Sequence, residues 1–155
     1  MENFNIIGTN HTSFTVSSLD ASVSFYTEVL GFSLLNRSFR DPSFTGPIVG
    51  IPGAKLEVAY VQAPGHRLEL IQYHAPEERG RVVARPCDTG FAHIAFDVDD
   101  IDAVVSAVRG ASVEPLSEPV VVNAGPNKGG KAVYTRDPDG VTIEFIQKPA
   151  VDNRI

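Results

Sequence analysis

Cysteine is nearly absent. Cys87 stands alone among 155 residues, which excludes an intrachain disulfide and leaves a poor metal ligand on its own. Long apolar runs are missing too: none approaches the roughly 18 residues a spanning helix needs. The N-terminus MENFNIIG has neither the basic start nor the apolar stretch of a secretory signal, so the expectation is a cytoplasmic protein with no membrane partner. Positive charge is scarce, with 13 Lys and Arg against 19 Asp and Glu and a net charge of -6. Without a Lys/Arg cluster to replace condensed counterions, a nucleic-acid partner is excluded. The 43% hydrophobic content and this length suit one sizeable core, or two small modules that share one.

Two short strand-like segments begin with histidine, and each is followed downstream by a strand that carries a glutamate between apolar residues. The first pair is His11 in NHTSFTV with Glu69 in RLELIQY; the second is His93 in AHIAFDV with Glu144 in VTIEFIQ. Side chains alternate faces along a strand, so Thr12, Phe14 and Val16 separate from His11, Ser13 and Thr15, and Ile94, Phe96 and Val98 from His93, Ala95 and Asp97. The same parity puts Glu69 opposite Leu68 and Leu70. All four polar residues can therefore point away from the surface that packs on helices. Two neutral imidazoles and two carboxylates converging on one cavity would form a mixed nitrogen and oxygen site suited to a divalent first-row metal.

The segment SSLDASVSFYTEVLGF has apolar residues at three- and four-residue intervals, with Ser17 or Ser18 to cap it and Gly31 to end it, which predicts an amphipathic helix. DDIDAVVSAVRGAS repeats the arrangement between Asp99 or Asp100 and Gly110. Strands are predicted at 32–36, 55–61, 67–73, 113–116, 131–135 and 141–147, with the turns QAPGH and RDPDG reversing the chain. One unit thus occurs twice: strand with His, helix, then strands that end in the Glu strand. The expected fold class is α+β, two βαβββ modules forming a curved mixed β-sheet with helices on the convex side. The expected organisation is a single domain, 1–155, built of modules at about 6–73 and 89–148, with the polar stretch His74–Asp88 between them.

On these residues the chain resembles the vicinal oxygen chelate superfamily, which includes glyoxalase I, methylmalonyl-CoA epimerase, extradiol dioxygenases, and fosfomycin- and bleomycin-resistance proteins. The resemblance runs from His11 to Gln147 and is most specific in SSLDASVSFYTEVLGF, GFAHIAFDVDDIDAV and RDPDGVTIEFIQ. It implies that His11, Glu69, His93 and Glu144 are the metal ligands of the glyoxalase I and epimerase branches, with one divalent ion per site (Ni, Co, Zn, Mn or Fe). It also implies a homodimer. Glyoxalase I contacts glutathione through an Arg on the first histidine strand and an Asn soon after the first metal glutamate; here those places hold Thr15 and Tyr73, so glutathione specificity is not expected.

The chemistry expected of such a site is that of an isomerase, epimerase or lyase acting on a small carbonyl-containing substrate through an enediolate. The metal polarises the carbonyl, and Glu144 or Glu69 serves as base. The region FTGPIVGIPGAK, with Phe44, Ile48 and Ile51 between Gly and Pro, is read as a mobile apolar cover over the substrate. Tyr73, Lys131, Tyr134 and Arg136 are further substrate-binding candidates. Because Lys131 and Arg136 differ in parity, at most one of them faces the ligands. Two alternatives use the same scaffold: a non-enzymatic drug or metabolite binding or resistance protein, and a ferrous-iron extradiol-type dioxygenase, against which Glu69 counts because it would fill a position such enzymes leave open.

Overall fold

The structure, a computed structural model, describes residues 4–150. Each module begins with a short strand and a helix. β1 (Thr12–Thr15) leads into α1 (Leu19–Ser24), which continues as a π-helical turn (Phe25–Val29) and stops at Gly31 with φ +72°. β2 (Ser33–Phe39), α2 (Pro42–Val49), β3 (Lys55–Ala63) and β4 (His66–Ala75) complete the first set. The second set is β5 (His93–Val98), α3 (Ile101–Gly110), β6 (Val120–Val121), β7 (Lys131–Arg136) and β8 (Thr142–Gln147). Two four-stranded mixed sheets result, ordered β1-β4-β3-β2 and β5-β8-β7-β6. In both, the first strand runs parallel to the last and the remaining pairs are antiparallel.

The chain divides into two compact units. Among the described residues, one holds 4–23 together with Gly31–Glu78, and the other holds Ser24–Leu30 and 79–150. In the first, the buried Val16, Leu19, Val61, Leu68 and Leu70 form the core between sheet and helix; in the second, Tyr26, Ile101, Val108, Val133 and Ile143 do so. The near-identical pieces LELIQ and IEFIQ have a shared structural reason. Gln72 Oε1 accepts from the Leu19 amide at 2.7 Å and Gln147 Oε1 from the Ile101 amide at 3.1 Å, so in each module the glutamate strand caps the helix that follows the histidine strand. On the first sheet, Arg37 donates to both oxygens of the largely buried Glu57, at 2.7 and 3.2 Å, and these hydrogen bonds hold the Glu57 carboxyl below its ordinary range.

Three expectations are corrected. The stretch read as a mobile cover contains a helix, α2. Asp41 caps it by accepting from the Ser43 amide, Pro42 occupies the first turn, and Gly50 closes it at φ +70°. The strand expected at 113–116 does not form, because Pro115 has no amide to donate. Leu116 gives one hydrogen bond to the Tyr134 carbonyl, and the edge strand is the two-residue β6. Of the stripe expected in the first helix, Leu19 and Tyr26 are buried while Val23, Val29 and Leu30 are half-buried, and at the π-helical turn Phe25, outside that stripe, is buried as well. Among the described residues, no helix is long and apolar enough to cross a membrane.

Candidate metal centre

The ladder register determines which side chains share a face. In the first sheet Ser13 pairs with Glu69 and Glu69 pairs in turn with Tyr60, while His11 sits two residues before Ser13. In the second sheet Ala95 pairs with Glu144 and Glu144 with Tyr134, while His93 sits two residues before Ala95. Each sheet therefore presents a histidine, a glutamate and a tyrosine on one face at the same relative register. His11 Nε2 faces Glu69 Oε2 at 3.2 Å, and His93 Nε2 faces Glu144 Oε2 at 3.1 Å. The remaining ring nitrogen of His11 lies 2.7 Å from Asn10 Oδ1. Tyr60 packs edge-on against His11, and Tyr134 lies tilted over His93 with Phe91 stacked beyond it.

The two pairs belong to different compact units, and among the described residues no group of three or more His, Cys, Asp or Glu side chains gathers closely enough to hold an ion. The pairs themselves suit a cation. Donors about 2.1 Å from one metal and cis to each other stand roughly 3 Å apart, close to the separation in both pairs. Imidazole nitrogen with carboxylate oxygen is also the donor set of a borderline divalent ion.

A model of the glyoxalase/bleomycin resistance protein/dioxygenase superfamily matches residues 8–145. The chain belongs to this superfamily. It is 36% identical to a lactoylglutathione lyase from Haemophilus influenzae, over 88% of this chain and 90% of the relative. It is 33% identical to a 2-epi-5-epi-valiolone epimerase from an Actinomyces species, over 93% and 81%. Among solved structures, a glyoxalase family protein from Bacillus cereus aligns with a TM-score of 0.84 at 27% identity, covering 97% of this chain and 99% of that one.

Within this superfamily member, the other candidate residues fall as follows. Lys131 lies on the opposite face of β7 from Tyr134 and Arg136, and its ammonium pairs with Asp102 of α3 at 2.8 Å. Arg136 shares the face of Glu144, one rung along, and makes no ion pair among the described residues. Its guanidinium and that of Arg81 both come close to Gly140. Tyr73 stands on the Glu69 face of β4. Phe44 and Ile48 are exposed on α2, which lies against β3, and Ile51 follows its C-terminus. A hollow of about 360 Å³ beside α2 is lined by Pro42, Gly46, Pro47, Gly50, Pro52 and Gly53, and neither His–Glu pair opens into it. His66 Nε2 lies 2.9 Å from Thr12 Oγ1, and His74 faces Glu57 at 3.7 Å.

Sequence reasoning missed Tyr60. Its hydroxyl donates to Glu69 Oε1 at 2.5 Å, and its pKa is raised by burial first and by this carboxylate second. Burial and the charge of Glu144 likewise raise Tyr134. The signal was available: a tyrosine stands nine residues before one glutamate and ten before the other, on the strand that pairs with it.

Proposed function

We propose that this protein is a divalent-metal-dependent isomerase, epimerase or lyase that acts on a small carbonyl-containing substrate, with His11, Glu69, His93 and Glu144 as the ligand set. The observation that carries this reading is the repeated pair: the same imidazole and carboxylate, on the same sheet face and at the same register, with Nε2 to Oε2 separations of 3.2 and 3.1 Å. The assembly that goes with this reading is a homodimer. Relatives named for a lyase and an epimerase support the reaction class.

When bound, the cation supplies Lewis acidity that polarises a substrate carbonyl and acidifies the adjacent C–H. The protein's own groups do the rest. A glutamate carboxylate accepts the proton from carbon; its return to a neighbouring atom gives a structural isomer, and its return to the opposite face of the same carbon gives an epimer. Glu69 and Glu144 are the candidates. Tyr134, beside Glu144 on the ladder, and Tyr73, on the Glu69 face, line the substrate's path. Arg136, with no carboxylate partner among the described residues, offers its guanidinium to an anionic group on the substrate. Phe44, Ile48 and Ile51 present apolar surface to the remainder.

The test is proton exchange in heavy water. Small carbonyl compounds and thioesters incubated with metal-loaded protein should acquire deuterium at the carbon next to the carbonyl. Glu144→Gln or Glu69→Gln should slow exchange about 10²- to 10⁴-fold, the usual contribution of a positioned base. Exchange at the wild-type rate in both variants contradicts the proposal.

A further inference from the structure

The two half-sites match in register and differ in their contacts, and one of these differences points to a role for Tyr60. In the first sheet the Glu69 carboxylate is divided between two neighbours. Oε2 faces His11 Nε2 at 3.2 Å, and Oε1 accepts the Tyr60 hydroxyl at 2.5 Å. The hydroxyl stays there because β3 and β4 pair Tyr60 directly with Glu69, and because two neighbours pack on the ring. His11 meets it edge-on at 5.7 Å, and the Arg40 guanidinium lies over it at 5.8 Å. In the second sheet Tyr134 pairs with Glu144 in the same way and packs on His93 at 5.1 Å, but among the described residues no hydrogen bond joins its hydroxyl to the carboxylate.

We infer that Tyr60 is a positioning residue: it holds Glu69 as a one-oxygen ligand, aimed at the position beside His11 Nε2, while Glu144 has no such restraint. The physical basis is twofold. A carboxylate with one oxygen tied to a phenol cannot swing to present both oxygens to a cation, so its geometry is set before the ion arrives. The hydrogen bond also limits rotation about the terminal carboxyl torsion, which is otherwise broad, so less freedom is lost on coordination. The inference rests on the metal-site reading above and goes beyond it by making the two modules unequal.

The measurement is a cobalt(II) titration of metal-free protein, followed by the visible absorption of the bound ion, for wild type, Tyr60→Phe and Tyr134→Phe. The thermal midpoint of each metal-free protein is recorded beside it. The expected result is a dissociation constant raised about 10- to 100-fold in Tyr60→Phe, with a changed band shape as Glu69 reorients. In Tyr134→Phe the constant stays within about threefold of wild type, because that hydroxyl holds no ligand. Thermal midpoints that agree among the three metal-free proteins separate positioning from loss of fold. Equal affinities and spectra in wild type and Tyr60→Phe overturn the inference and leave the metal site standing. Equal weakening in both variants also overturns it, since the asymmetry is then absent. A wild-type protein that binds no cobalt overturns the metal-site reading itself.

Discussion

Replacing Tyr26 by Phe removes one hydroxyl from a fully buried ring, and its cost should depend on pH in a direction that the structure fixes. The hydroxyl donates to Asp137 Oδ2 at 3.2 Å, while Oδ1 of the same carboxyl accepts the amides of Asp139 at 2.9 Å and Val141 at 2.8 Å. Asp137 is only 3% exposed, and burial raises its carboxyl above the ordinary value against the lowering effect of these hydrogen bonds. The folded protein therefore holds this proton more tightly than the unfolded chain does. Its stabilising contribution is complete below the ordinary value of 3.8 and is lost as pH rises through the higher folded value. Tyr26→Phe removes one of the lowering contacts, pushes the folded value further up and deepens the loss at neutral pH. An ionised buried acceptor that loses a donor costs about 1–3 kcal/mol, against about 0.5–1.5 kcal/mol for a neutral pair. With about 2–4 °C of Tm per kcal/mol for a chain of this size, thermal unfolding followed by circular dichroism should show a deficit of about 2–12 °C at pH 7, shrinking as pH falls toward 4. A deficit that is absent, or that grows on acidification, refutes the reasoning.

Gly130 is the position where backbone approach demands glycine: a Cβ there would lie 2.2 Å from the Gln147 carbonyl oxygen. Gly130→Ala should cost about 1–3 kcal/mol by overpacking, read as a lower urea midpoint with the slope unchanged. Arg136→Gln should weaken binding of substrates that carry an anionic group by about tenfold or more. It should leave neutral substrates within about twofold, a split checked by comparing KM across a charged and an uncharged series. Arg136→Gln with no such split removes the guanidinium from the substrate-binding role.

The repeated strand, helix and strand order was legible because each level of the sequence agreed with the next. Alternation separated His11 from Phe14 and Glu69 from Leu68, helical spacing marked 19–30 and 101–110, and RDPDG marked a reversal where Asp137 and Val141 hydrogen-bond across the turn. What the sequence hid depended on local exceptions. Gly46 and Pro47 inside α2 weaken any helical pattern, and only its ends, Asp41 with Pro42 and Gly50, carry a helix signal, too little to mark it in the sequence. Val113 and Leu116 have the apolar character of a strand, but Pro115 between them cannot donate to a ladder. Parity alone could say that Lys131 and Arg136 face opposite ways, but the partner that draws Lys131 away, Asp102, stands on a helix 29 residues earlier. The role of Tyr60 also needed register, since tyrosine alternating with apolar neighbours reads equally well as sheet packing.

The central claim, that two matched His–Glu pairs hold a divalent ion, is tested most directly by metal analysis. Wild type, His11→Ala and His93→Ala would be purified without chelators and then equilibrated with divalent ions. The account predicts about one tightly held ion per chain in wild type and loss of that ion in both variants, because each removes a nitrogen donor from a different module. Wild type that binds no ion, or an ion retained in both variants, contradicts it.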